Sequence, residues 1–247
     1  MKVAISFIGT NKYLDYLPKY YENIEKYFLP NSEKTILAFT DGELEDTPDN
    51  LKVYHQEHLP WPYITLKRFE IINKAREEIK KNDWFVFIDA DALPVATITE
   101  EEFLNRCCGA DTNQVPFFGV HHPCHYMKMP PHNQKPGALE QNPHSTAYVD
   151  LSKGMPDYYY QGCFWGGKVP AIMHMIDELE SRVNKDLEND VVALWHDESH
   201  INKYFLQREF DVHTFGPEYA YPEVFDEHCN FEPKIVHLAK DNSKYQQ

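Results

Sequence analysis

Asp89-Ala90-Asp91 closes the apolar run Trp84–Pro94 (WFVFIDADALP) and sets two carboxylates at the end of what reads as a buried strand. If the extended backbone continues through Asp91, its period of two turns both carboxylates to one side, where their charges repel unless a cation lies between them. Hard divalent ions such as Mn²⁺ or Mg²⁺ take oxygen ligands and often use only one or two protein carboxylates together with substrate phosphates. The pair therefore reads as a metal site for a phosphate-bearing substrate, with a plain strand-ending turn as the alternative. The densest group of reactive side chains is Trp195–His200 (WHDESH), ahead of a predicted helix INKYFLQ. If Asp197 or Ser199 caps that helix, Glu198 lies near its amino end, where the dipole favours an ionised carboxylate. Such a group suits a nucleophile or an oxocarbenium stabiliser better than a general acid. The same letters also spell a capping box with incidental charges, and His196 with His200 would take zinc only if a third ligand joined them.

These residues need elements to carry them. Lys2–Ile8 reads as a buried first strand followed by a turn at Gly9–Tyr13, the sheet edge where open α/β folds bind ligands. Asp15–Phe28 has helical spacing and Thr35–Phe39 reads as a second strand, so the start of the chain forms a parallel βαβ unit. Thr65–Lys81 is predicted as one helix with Leu66, Phe69, Ile72, Ala75 and Ile79 on its apolar face. Arg68 lies at the edge of that face, as a solvated charge or as a cation beside the aspartates. Residues 109–156 read as a long loop rich in His and Pro, and Tyr158–Gly167 as a glycine-bearing strand that approaches either a ligand or another element. Pro170–Val183 repeats apolar residues at Ile172, Met175, Ile176, Leu179 and Val183, an amphipathic helix. His237–Gln247 is polar and reads as a tail that is mobile unless a ligand orders it.

The chain has 247 residues, 42% of them apolar, and no linker or repeat divides it, so it reads as one domain over 1–247, with parts at about 1–95 and about 96–236 and a tail at 237–247. A formal net charge of −15, without basic runs, argues against a nucleic-acid partner. No apolar stretch approaches the roughly 20 residues of a membrane span. Met1–Gly9 lacks a signal-peptide pattern, and the chain reads as soluble and cytoplasmic. Five cysteines without zinc-ligand spacing suit a reducing compartment.

Taken together, WPYITLKRFE at Trp61–Glu70, FIDAD at Phe87–Asp91, GVHHP at Gly119–Pro123, STAY at Ser145–Tyr148, YYQGCFWGG at Tyr159–Gly167, WHDESHINKY at Trp195–Tyr204 and PEY at Pro217–Tyr219 resemble glycosyltransferase family 6 along nearly the whole chain. That family holds the retaining α-1,3-galactosyl- and N-acetylgalactosaminyltransferases. The resemblance implies an α/β GT-A fold, a Rossmann-like mixed sheet flanked by helices. It also implies transfer of galactose or N-acetylgalactosamine from a UDP-sugar donor to a β-galactoside-type glycan acceptor, dependent on Mn²⁺, with Mg²⁺ an alternative. It assigns Asp89 and Asp91 to the metal, and Arg68 and Asp197 to the donor sugar. Thr10 and Tyr13 fall to the uridine, and Glu198 to the place beneath the anomeric carbon. His122, Ser145, Trp195 and Glu198 are similar to acceptor contacts. Gln161, Gly162 and Cys163 match the segment that distinguishes the two sugars, where a Cys163 bulkier than glycine favours galactose. Some bacterial relatives replace the DxD with an Asn-containing version and work without metal; this chain keeps both aspartates, so metal dependence is the expectation. The family's tail cations match Lys240, while the second falls at Gln246 with Lys244 as a substitute. The acidic acceptor contact after PEY falls at Pro222, next to Glu223.

Rival readings are a phosphatase with an aspartate nucleophile, which wants Thr or Val where the chain has Leu93, a UDP-sugar hydrolase, and a carbohydrate-binding module with no use for Glu198.

Overall fold

The alternation of β1 (Lys2–Ile8) decides the layering: Val3, Ile5 and Phe7 face one core and Ala4 the other. A strand apolar on both sides must be covered on both sides. We describe a computed structural model of the chain, covering residues 1–108, 115–129, 139–152 and 154–240, with the side chains of 105–108 left out.

A 3-10 turn at Asn11–Tyr16 leads into α1 (Leu17–Tyr27), then β2 (Glu33–Thr40) and β3 (Leu51–His55). The stretch predicted as one helix over Thr65–Lys81 is three short ones: α2 (Tyr63–Leu66), α3 (Arg68–Asn73) and α4 (Arg76–Ile79). Lys67 (φ −88°, ψ 14°) separates the first two. Thr65 turns its hydroxyl back onto the Pro62 carbonyl at 2.9 Å, a side-chain bond of the kind that loosens and bends helices. The apolar period is unaffected, and Phe69, Ile72 and Ile79 are buried as expected.

β4 (Trp84–Ile88), β5 (Ala92–Pro94) and α5 (Glu100–Cys108) follow. Within the segment read as loop, residues 117–121 form β6 (Phe117–His121), succeeded by the single turn α6 (Pro123–Tyr126). FFGVH lacks the alternation of a half-exposed strand because it lies between two other strands. β7 (Tyr160–Lys168), α7 (Val169–Glu188) and α8 (His196–Leu206) come next, then β8 (Val212–Phe215), β9 (Tyr221–Pro222) and β10 (Ile235–His237). The predicted amphipathic helix is α7, with Ile172, Met175, Ile176, Leu179 and Val183 all buried. None of the described helices is long and apolar enough to cross a membrane.

The main sheet is mixed, in the order β3-β2-β1-β4-β7-β6-β8. β1 lies parallel to β2 and β4, β2 parallel to β3, and β7 antiparallel to β4 and β6. Leu17, Tyr20 and Ile24 of α1 cover one face, and Phe69 of α3 with Ile172, Ile176 and Leu179 of α7 cover the other. A smaller sheet, β5-β10-β9, carries the chain's last strand back against the residues just after Asp91. Gly166 and Gly167 serve strand packing: an added Cβ would stand 2.2 Å from the Phe85 carbonyl oxygen and 2.3 Å from that of Pro116.

Candidate active site

The parity of β4 selects which aspartate meets which partner. Trp84, Val86 and Ile88 face the first core, Phe85 and Phe87 the second, and Asp89 continues toward the second, where α3 lies. The strand stops there. Asp89 donates its N–H to the Cys163 carbonyl at 3.0 Å and accepts from the Ala92 N–H at 2.9 Å, so Asp89–Ala92 is a turn. The extended conformation expected through Asp91 is therefore absent, and the turn and the paired carboxylates are one feature. The turn directs Asp91, 2% exposed, toward β10.

Arg68 is the buried cation at the centre. It is 7% exposed, and its guanidinium stacks 4.1 Å from the Phe87 ring. It donates to the Gly162 carbonyl at 2.8 Å and to Asp89 Oδ1 at 3.0 Å, and it stands 2.7 Å from Asp197 Oδ2. The solvated reading of this arginine is thereby corrected: the start of α3 faces inward.

α8 begins earlier than expected. Trp195 occupies the cap position without a side-chain cap bond, and the Ser199 hydroxyl accepts from the Trp195 N–H at 2.9 Å. Neither Asp197 nor Ser199 is the N-cap. Both Asp197 and Glu198 sit in the first turn, immediately after His196, whose φ of 52° lies in the left-handed region. Glu198 is gripped at both oxygens: Tyr159 donates its hydroxyl to Oε1 at 2.5 Å and Gly162 its N–H to Oε2 at 2.8 Å.

Electrostatically the site holds an excess of buried carboxylates. Burial raises Glu198, offset in part by the bonds from Tyr159 and Gly162. Burial and the neighbouring Asp89 and Glu198 push Asp197 up to about 7 against the pull of Arg68. Burial likewise raises Asp89, again against Arg68. Asp91 is the exception, because His237 and Lys240 outweigh its burial and hold it well below the usual carboxylate range. The helix amino end expected to favour an ionised Glu198 is thus joined by two hydrogen bonds that act in the same direction, and burial outweighs the bonds.

Gly162 and Cys163 lie in a bulge of β7 with Gln161 at its edge: Gly119 pairs with Trp165, but the next residue, Val120, pairs with Gln161. Such a bulge re-aims side chains. A Cβ added at Gly162 would stand 3.4 Å from Glu198 Cβ and 3.5 Å from the Arg68 guanidinium. Cys163 is 1% exposed and packs in the first core, and burial drives its thiol well up. Gln161 places Nε2 3.2 Å from His237 Nδ1.

A cleft of about 470 Å³ runs from Thr10 and Tyr13 past Trp61 and Arg68 to Asp89, Asp91 and Lys240. The Thr10 hydroxyl pairs with His58 Nδ1 at 3.0 Å, and Lys240 lies 4.9 Å from the Tyr13 ring centroid while its ammonium pairs with Asp91 Oδ2. The first tail residues have partners of their own: Leu238 donates to the Asp91 carbonyl at 2.9 Å and Ala239 to Glu223 Oε2 at 2.7 Å. Lys244 lies outside the described residues.

On the far side of Glu198, His122 Nδ1 accepts from the Cys124 N–H at 3.1 Å and its ring is 5.6 Å from that of Tyr159. Trp195 packs with Leu139, Val149 and Tyr159. Ser145 is not presented to this surface: it is 5% exposed and gives its hydroxyl to Asp186 Oδ2 at 2.6 Å, fastening a loop to α7. His196 and His200 do not converge as a zinc pair would, since His196 meets Trp61 edge-on at 4.6 Å while His200 is buried beside Asp186. Among the described residues, the group able to hold a metal is Asp89, Asp91 and His237, whose ligand atoms lie within 4.8 Å of one another. The sequence reading missed His237 and Tyr159. His237 sits in a polar stretch with no spacing signal, and Tyr159 is one of three consecutive tyrosines.

A glycosyltransferase family 6 model matches residues 1–246. The O-antigen biosynthesis glycosyltransferase WbnI of Escherichia coli is 27% identical over 248 aligned positions, covering 99% of this chain and 97% of that protein. Histo-blood group ABO system transferase 2 of Rattus norvegicus is 25% identical over 230 positions, covering 90% of this chain and 64% of the relative. Globoside alpha-1,3-N-acetylgalactosaminyltransferase 1 of Gallus gallus is 24% identical over 242 positions, covering 91% and 65%. The chain thus spans less than two thirds of the length of these two animal relatives.

Proposed function

Because the chain belongs to glycosyltransferase family 6, we propose that it moves galactose, or N-acetylgalactosamine, from a UDP-sugar to a β-galactoside-type hydroxyl in α-1,3 linkage, with retention of the anomeric configuration. The observation that carries this reading is the pairing of two carboxylate sites across Arg68. Asp89 lies 3.0 Å from the guanidinium on one side, and Asp197 lies 2.7 Å from it on the other, next in sequence to Glu198. Diphosphate departure belongs to the first side and sugar capture to the second.

Thr10 and Tyr13 form the nucleoside end of the cleft. Asp89 and Asp91 fit a hard divalent ion by donor type, and in the protein alone Asp91 already draws in two nitrogen groups, the His237 imidazole and the Lys240 ammonium. Mn²⁺ or Mg²⁺ held there would offset charge on the leaving diphosphate. Arg68 and Asp197 orient the donor sugar. Glu198, fixed by Tyr159 and Gly162, either attacks the anomeric carbon or stabilises an oxocarbenium ion while the acceptor enters on the same face. Lys240 exchanges Asp91 for the diphosphate when substrate enters. Galactose is the favoured sugar, because Cys163, in the segment by which the family distinguishes the two sugars, is bulkier than the glycine that would leave room for an acetamido group.

The test is product formation from UDP-galactose and lactose with Mn²⁺, with the anomer read by NMR. An α-linked galactoside is expected. UDP release without a new glycoside would reduce the reading to donor hydrolysis, and equal turnover of UDP-N-acetylgalactosamine would remove the galactose preference.

A further inference from the structure

The strand β10 brings a nitrogen ligand to the two aspartates through backbone register. In β10, His237 pairs with Ala92, the residue that follows Asp91, and the Leu238 N–H donates to the Asp91 carbonyl at 2.9 Å. The imidazole is thereby fixed opposite the turn: its Nε2 lies 3.3 Å from Asp91 Oδ1, and Asp89, Asp91 and His237 offer ligand atoms all within 4.8 Å. Side-chain exposures of 24% for Asp89 and 27% for His237 leave the cluster open toward the cleft, where water or phosphate oxygens would complete a coordination shell.

The other ring nitrogen is also arranged. His237 Nδ1 is 3.2 Å from the Gln161 carboxamide, whose Oε1 is buried without a hydrogen-bond partner. A half-turn of that carboxamide makes Oε1 the acceptor of Nδ1–H and leaves Nε2 with its lone pair free. Metal-binding histidines are oriented in this way, by donating the second ring N–H to an oxygen behind them.

The geometry points to His237 as a third protein ligand of the ion held by Asp89 and Asp91, oriented by Gln161, and as the residue that biases this ion toward Mn²⁺ or Co²⁺ and away from Mg²⁺. The inference rests on reading the aspartate pair as a metal site. Its selectivity follows from donor chemistry. Carboxylates and water serve Mg²⁺ well, whereas imidazole adds affinity for first-row transition ions and little for Mg²⁺. Lys240 Nζ now pairs with Asp91 Oδ2 and leaves that oxygen when the ion enters.

The test uses the full chain with UDP and Mn²⁺. Electron spin-echo spectroscopy of the Mn²⁺ complex reads a directly bonded ¹⁴N, expected in the wild type and absent from His237→Ala. Calorimetry with Mn²⁺ and with Mg²⁺ is expected to show about a 10- to 100-fold loss of Mn²⁺ affinity in the variant and a much smaller loss for Mg²⁺. A bound Mn²⁺ without the ¹⁴N signal in the wild type overturns the inference while leaving the aspartate site standing; so do equal losses for both ions. Failure of the wild type to bind Mn²⁺ at all overturns both. If His237→Ala does not fold, the wild-type spectrum alone decides.

Discussion

The Tyr159 hydroxyl donates to Glu198 Oε1 at 2.5 Å, and the two residues come from different elements 39 positions apart, one just before β7 and the other in the first turn of α8. The Gly162 N–H holds the other carboxylate oxygen. The Glu198 carboxylate is thus aimed from β7, although its own backbone belongs to α8. Replacing Tyr159 by Phe keeps the packing and removes one donor to a charged group, a bond worth about 1.5–3 kcal/mol, or roughly 10- to 100-fold in rate. Turnover should fall by that factor with donor KM unchanged, read by initial-rate kinetics. A raised KM at constant kcat would instead assign Tyr159 to substrate binding.

Glu198→Gln keeps the shape of the side chain and removes its charge. Transfer should be nearly abolished while UDP affinity, read by calorimetry, stays the same. Normal transfer by this variant removes Glu198 from the chemistry.

Arg68 is the counter-ion of two carboxylates, Asp89 and Asp197, and the donor to the Gly162 carbonyl. Arg68→Met leaves those carboxylates buried without their cation, a loss of about 3–5 kcal/mol by analogy with broken buried pairs. Urea unfolding should show it as a lower midpoint. Arg68→Lys recovers only part, because an ammonium cannot reproduce the planar fork.

Lys240 and a divalent ion compete for Asp91. Lys240→Ala should therefore tighten Mn²⁺ binding in the absence of nucleotide and weaken UDP binding in its presence, both by calorimetry. Unchanged Mn²⁺ affinity would show that the ammonium leaves Asp91 without cost.

His200 is fully buried, and neither ring nitrogen has a hydrogen-bond partner among the described residues. Burial lowers it from 6.5 to about 4, against the pull of Asp186. Between those values the unfolded chain takes up a proton that the folded protein refuses. Stability is therefore complete above pH 6.5 and declines on acidification toward pH 4, by on the order of 3 kcal/mol from this residue. His121, lowered to about 4 by burial and by His125, adds to the same trend. Urea unfolding at pH 7 and pH 5 should show the decline, and it should be shallower in His200→Gln.

The strand-helix-strand opening, the buried β4 run, the periodic face of α7 and the family motifs were legible in the sequence, because periods of two and 3.6 record which side of an element meets a core. Arg68, Asp89, Asp91, Asp197 and Glu198 were legible as types of chemistry. Their mutual roles were not. The partners of Asp91, the burial of Ser145 and the approach of His237 and Tyr159 depend on residues 39 to 149 positions away in the chain. No local period encodes such separations. The sequence by itself determined which carboxylates, cations and apolar faces were available. The tertiary structure alone decided which carboxylate each cation neutralises, since that depends on strand register and on the direction in which β4, the β7 bulge and the start of α8 present their side chains.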